Sequence, residues 1–163
     1  MKLKERPNDF QVTELLREGL LQERGVHRVY RVTKRKLTSL EAASGLARLA
    51  GVTPGDVAMA GLKDRQGVTH QYMSVPGGDP VRISGNELSI QQVGALSRPI
   101  SSEDSDGNAF KIFVRDIGEA ELARMRASLA SVREFGLPNY FDEQRFGNLR
   151  HGQGWIYVDL ARG

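Results

Sequence analysis

Short runs of alternating apolar and polar residues, joined by turns too brief to hold a helix, leave this sequence few folds to choose from. "FQVTEL", "HRVYRVTKRK", "VTHQYMSV", "LSIQQV" and "AFKIFVRDI" read as strands, and the connections "PGGDP" and "SSEDSDGN" are rich in turn residues. Parallel neighbours need a crossover of about a dozen residues or more, so strands joined this way pair antiparallel. "VAMAGLKD" is a short apolar run expected to end in a tight turn at Lys63, Asp64 and Arg65 before "VTHQYMSV" resumes. Two stretches change to the helical period. Thr38 and Glu41 have capping-box spacing, Leu40, Ala43, Ala47 and Ala50 recur at three to four, and Gly51 supplies a stop. Further on, Leu122, Met125, Leu129 and Val132 form an apolar stripe expected in the core. Glu119 and Glu121 stand near its start, Arg133 near its end, and Gly136 and Pro138 close it. The expected class is α+β: a mixed, mainly antiparallel sheet with helices packed on one side.

At 163 residues the chain has room for one ordinary domain. The closing "GWIYVDLARG" begins another apolar element and stops with no cap or partner, so residues 1–163 are expected to be part of a longer domain. Without cysteine there are no disulfides, thiolate metal sites or cysteine nucleophiles. No apolar run has the length of a membrane span and "MKLKERPNDF" lacks the apolar stretch of a secretory signal, so the expected location is cytoplasmic, with no membrane partner. The net charge is only +3, but its distribution is uneven. Between Glu23 and Glu41 there is no acidic residue, while Arg24, Arg28, Arg31, Lys34, Arg35, Lys36 and His27 fall in that window. Such a patch attracts phosphates, or serves as a solvated, protected strand edge.

Metal chemistry has no foothold. His27, His70 and His151 are dispersed, and "SEDSDGN" places Asp104, Asp106 and Gly107 like part of a calcium loop whose closing glutamate position falls on Phe113. Neither a G-x-S-x-G elbow nor a Walker-type glycine loop occurs. What stands out is Asp64 within "AGLKDRQGVTHQYMSV", a carboxylate inside a basic triplet. It is either a solvated turn residue or a base or nucleophile towards a sugar carbon, with cations beside it to hold a phosphate. Phe110, and Tyr140, Phe141 and Phe146 around Arg145, suit either base stacking or a hydrophobic corner.

Four stretches, in order, resemble the motifs of the tRNA pseudouridine synthase D family: "KERPNDFQVTE", "AGLKDRQGVTHQ", "GNAF" and "GLPNYFDEQRFG". The resemblance runs from Lys4 to the end of the chain. It implies an RNA pseudouridine synthase, a tRNA-processing isomerase that converts a tRNA uridine (in the family, uridine 13 of the D arm) to pseudouridine without metal or organic cofactor. By that resemblance Asp64 is the catalytic aspartate. Phe10, Asn108 and Phe110 fall at substrate-contacting positions, and Lys4 and Lys63 match basic residues of the active site. The implied partners are tRNA and the missing C-terminal half of the same protein. Family members carry an inserted domain and a C-terminal segment that completes the catalytic sheet and adds a stacking aromatic, and both are absent from these residues. The alternative reading is a truncated, noncatalytic RNA-binding module.

Overall fold

The structure is a computed structural model that describes residues 1–136. It divides into a unit over Met1–Ile117 and a second unit that begins at Gly118. In the first unit the chain forms β1 (Lys2–Leu3), β2 (Phe10–Leu16), β3 (His27–Arg35), α1 (Ser39–Ala50), β4 (Ala58–Met59), β5 (Val68–Pro76), β6 (Arg82–Ser84), β7 (Leu88–Leu96), β8 (Ser105–Ile112) and β9 (Val114–Arg115). Seven strands make one sheet in the order β6-β7-β3-β5-β2-β8, with β4 alongside β5, while β1 and β9 form a separate antiparallel ribbon. Only β2 and β5 run parallel in this sheet; the other pairs are antiparallel. Of these, β4/β5 and β6/β7 alone join sequence neighbours, while β3/β5, β3/β7 and β2/β8 join strands far apart in the chain. The strands flanking "PGGDP" and "SSEDSDGN" therefore do not pair with each other, contrary to the expectation from the short connections.

Alternation sorts the side chains of this sheet. Tyr30, Val32 and Lys34 on β3 stand opposite Met73, Gln71 and Thr69 on β5, and Val32 also faces Ile90 on β7. The apolar members of that face meet α1 in the main core, where Ala42, Ala43, Leu46, Ala47 and Ala50 pack on Tyr30, Val32, Met73, Val75 and Ile90. Burying Leu46 contributes roughly 1.5–3 kcal/mol, and the surrounding alanines let the helix lie close to the sheet. The helix begins as expected: the Glu41 amide donates to Thr38 Oγ1 at 3.1 Å and the Thr38 amide to Glu41 Oε2 at 2.6 Å. It ends at Gly51 in the left-handed conformation, with φ 69°.

Several expectations need correction. Leu40 is 63% exposed, because at roughly 100° per residue it falls outside the buried arc centred near Leu46. Lys34 is 1% exposed and leaves the basic surface; it shares the face of Tyr30 and Val32. Instead of a tight turn before β5, residues 60–67 form a longer connection, since β4 ends at Met59 and its main chain pairs with the far half of β5. Phe110, Ile112 and Val114 do not share one strand. The Phe113 amide leaves the ladder to donate to Asp9 O at 2.8 Å, and Val114 pairs with Leu3 instead.

In the second unit, α2 (Glu119–Phe135) starts with the Gly118 amide donating to Glu121 Oε2 at 3.0 Å and ends at Gly136. Its apolar stripe is not core among the described residues: Leu122, Met125 and Leu129 are 38%, 47% and 46% exposed. Helical spacing states which face is apolar and leaves open what covers it. Pro138, Tyr140, Phe141, Arg145, Phe146, His151 and the closing "GWIYVDLARG" lie outside the described residues. No helix among the described residues is long and apolar enough to cross a membrane.

Candidate active site

Phe10, Val12 and Glu14 alternate onto one face of β2, and the register with β8 sets Ile112, Phe110 and Asn108 directly opposite them. Through Val12 opposite Thr69, and Thr69 opposite Lys34, this is the same sheet face that α1 covers farther along. On β2 this face is largely buried at Val12 and Glu14, while on β8 it is exposed among the described residues, with Phe110 61% and Ile112 49% exposed. The Phe10 and Phe110 rings lie 6.1 Å apart, tilted by 44°, and the Lys4 ammonium sits 4.0 Å from the Phe10 ring centre. Together they form a small aromatic surface with a cation at its edge, an arrangement that takes flat rings and anions. At the entry to β2, Asp9 is buried and gripped by the Arg115 guanidinium through two bonds of 2.8 and 2.7 Å. Those bonds hold its carboxyl below the usual carboxylate range and fix the strand's start.

The connection carrying Asp64 is tied to this face by a buried polar chain. The Lys63 ammonium makes an ion pair with Glu14 at 2.8 Å, the side chains being 12% and 1% exposed. The other Glu14 oxygen accepts the Tyr72 amide at 2.8 Å. The Lys63 amide donates to Ser39 Oγ at 2.8 Å, and that hydroxyl donates to Gln71 Oε1 at 2.9 Å. Beneath them the Lys34 ammonium donates to the carbonyls of Asp64 at 2.6 Å, Leu37 at 2.9 Å and Lys63 at 3.3 Å. Burial pulls the Lys34 ammonium below its ordinary pKa; Asp64 and Glu41 push the other way, and Lys63 adds to the fall. Such a pair or cluster is expensive to bury and more expensive to break, so it serves to hold one geometry.

These contacts separate Asp64 from its sequence neighbours. Lys63 turns inward to Glu14, while Arg65 Nε donates to the Lys36 carbonyl at 3.0 Å. The Asp64 main chain is fixed by Lys34, yet its carboxylate is exposed and has no hydrogen bond or ion pair among the described residues. At the far end Gly67 abuts β2: its φ is +110°, and an added Cβ would lie 2.4 Å from the Phe10 carbonyl oxygen. The fold thus brings Lys4, Phe10 and Phe110 together and binds Lys63 to the strand carrying Phe10. Asn108 faces Glu14 across the β2/β8 ladder, and Asp64 lies on the connection pinned by Lys34 and Lys63 and makes no hydrogen bond or ion pair with the others among the described residues. Glu14, Lys34, Ser39 and Gln71 were not among the expected site residues. The signal for two of them is in the alternation, which sets Glu14 with Val12 and Lys34 with Val32.

The sequence profile of the family described as tRNA pseudouridine synthase D matches residues 1–160. A Methanococcus maripaludis protein assigned to tRNA pseudouridine synthase D is 30% identical over 164 residues, covering 100% of this chain and 41% of the relative. The tRNA pseudouridine synthase D of Vibrio cholerae is 35% identical over 158 residues, covering 93% and 42%. A crystal structure of a Methanosarcina mazei protein assigned to the same family superposes with a TM-score of 0.81 at 27% identity, covering 90% of this chain and 35% of that one. The chain therefore spans well under half the length of these relatives.

Proposed function

The chain belongs to the tRNA pseudouridine synthase D family, and we propose that it supplies the aspartate-bearing part of an enzyme that isomerises a tRNA uridine, uridine 13 of the D arm, to pseudouridine. In this reading residues 1–163 are the N-terminal part of the catalytic domain. The second wall of the uridine pocket belongs to portions of the family outside them, and the work is done in the cytoplasm. The observation that carries the proposal is the Asp64 connection, anchored by Lys34 and Lys63 to the sheet face that presents Phe10, Phe110 and Asn108.

The reaction breaks the bond from C1′ to N1 of uracil, turns the base, and joins C1′ to C5; the C5 proton is lost and N1 gains one. A flipped nucleotide would be needed to expose C1′. Asp64 acts either by attacking C1′ or by removing a proton from the sugar. Phe10 and Phe110 offer faces for the loosened uracil, and Asn108 offers amide groups for its edge. The test is incubation with unmodified tRNA followed by chemical labelling of pseudouridine. The full-length protein is expected to convert uridine, and Asp64→Asn in it to lower the rate by about a thousandfold or more. Equal rates would refute the assignment of Asp64. Salt-sensitive tRNA binding by the full-length protein with no conversion would put the noncatalytic RNA-binding module in its place.

A further inference from the structure

Beside Phe10 a cleft of about 470 Å³ is lined by Lys4, Arg6, Lys36, Arg65 and Gly67 among others. Four cations share this space with one carboxylate, Glu5, which is already paired with Lys2 at 3.3 Å. Arg6 and Lys36 have no side-chain hydrogen bond or ion pair among the described residues, and both are exposed. Two of the three non-glycine residues with positive φ described in the chain, Lys4 at 54° and Lys36 at 56°, lie on the rim of this one cleft. That conformation is unfavourable for a side-chain-bearing residue, and its concentration at a single opening is the pattern of a binding site. Arg65 Nε holds the Lys36 carbonyl at 3.0 Å, so the segment bearing one cation is braced by another. Phe10, one of the two rings proposed to hold uracil, also lines the cleft.

We propose that this cleft binds the phosphodiester next to the nucleotide held at Phe10 and Phe110, with Arg6 and Lys36 as its principal charge donors. The inference rests on the assignment of an RNA substrate to this face. A phosphate is the fitting ligand because the groups are convergent cations next to a ring-binding surface, and nucleic-acid backbone alternates charge with rings over the same few ångströms. The basic residues of the opposite sheet face do not share this setting. Arg31 and Arg82 are exposed there, both in register with Gln91, and serve as controls.

The experiment measures binding of a fluorescent single-stranded RNA containing one uridine, across a salt series, by anisotropy. Arg6→Gln with Lys36→Asn removes two charges, and asparagine tolerates the left-handed backbone at position 36. The expected result is a loss of about tenfold in affinity at low salt, and a salt slope smaller by roughly 0.7 for each cation removed. Replacing the phosphates flanking the uridine with uncharged methylphosphonates should weaken the wild-type protein by a similar factor and leave the double variant unaffected. Arg31→Gln with Arg82→Gln should keep the wild-type response to methylphosphonate. The proposal is overturned if wild-type protein binds no RNA, if it ignores the methylphosphonates, or if the Arg6/Lys36 variant remains as sensitive to them. None of these readouts needs turnover. Absence of pseudouridine alongside the expected binding pattern would therefore strike the catalytic reading alone.

Discussion

Replacing Lys34 with methionine removes the ammonium that grips the Asp64 connection while keeping an unbranched side chain to fill the space. Three carbonyls lose their donor: Asp64 at 2.6 Å, Leu37 at 2.9 Å and Lys63 at 3.3 Å. The two shorter bonds come from a charged donor and are worth about 1.5–3 kcal/mol each, or about 3–6 kcal/mol gross. Part of this is offset. Lys34 is 1% exposed, and burial disfavours its charged form, so an apolar replacement recovers roughly 1–3 kcal/mol of desolvation cost. The net loss is about 2–3 kcal/mol. With a urea slope of about 2 kcal/mol/M, the unfolding midpoint should fall by roughly 1–1.5 M. The loop should respond more locally as well: the Lys63 amide, now bonded to Ser39 Oγ at 2.8 Å, should exchange its hydrogen faster. Where the protein converts uridine, displacement of Asp64 by about 1 Å should lower the rate by about a hundredfold. An unchanged midpoint with unchanged exchange at Lys63 would refute the idea that Lys34 holds this connection.

Gly67→Ala should destabilise the protein by about 2–4 kcal/mol, because φ is +110° and the new Cβ would meet the Phe10 carbonyl at 2.4 Å; an unaltered thermal midpoint would mean that the loop and β2 do not abut. Asp104, fully buried and bonded to Arg98 at 2.6 and 2.7 Å, has its pKa lowered from 3.8 to about 2, with the Arg98 hydrogen bonds as the largest cause. Its folded value lies below its unfolded one, so the stabilisation is full above about pH 4 and is lost as the pH falls through 2. Arg98 is half exposed and the pair partly screened, so Asp104→Asn should cost about 1–2 kcal/mol at pH 7 in urea unfolding. That difference should shrink on acidification, and a difference that stays constant from pH 7 downward would contradict the assignment.

Much of the fold could be read along the chain because its determinants are local. Alternation located β2, β3, β5 and β7, and the Thr38/Glu41 box and Gly51 set both ends of α1. The family motifs pointed to Asp64, Phe10, Asn108 and Phe110, but residue type misled where it competed with alternation. Lys34 was grouped with surface cations although "YRVTK" puts it on the face of Tyr30 and Val32. Charge alone does not tell whether three carbonyls will converge on an ammonium.

What only the tertiary structure decided are the relations between segments distant in the chain. The parallel pairing of β2 with β5 brings Gly67 against Phe10, and pairing of β2 with β8 sets Phe110 and Asn108 across from Val12 and Glu14. The buried chain from Glu14 through Lys63 to Ser39 and Gln71 depends on two strands, a helix and the 60–67 connection meeting at one point. A sequence specifies the side of its strand on which each residue lies, because that follows from backbone geometry within a few residues. Whether that side is covered, and by which partner, depends on contacts that close loops of many residues and exist only in the assembled fold.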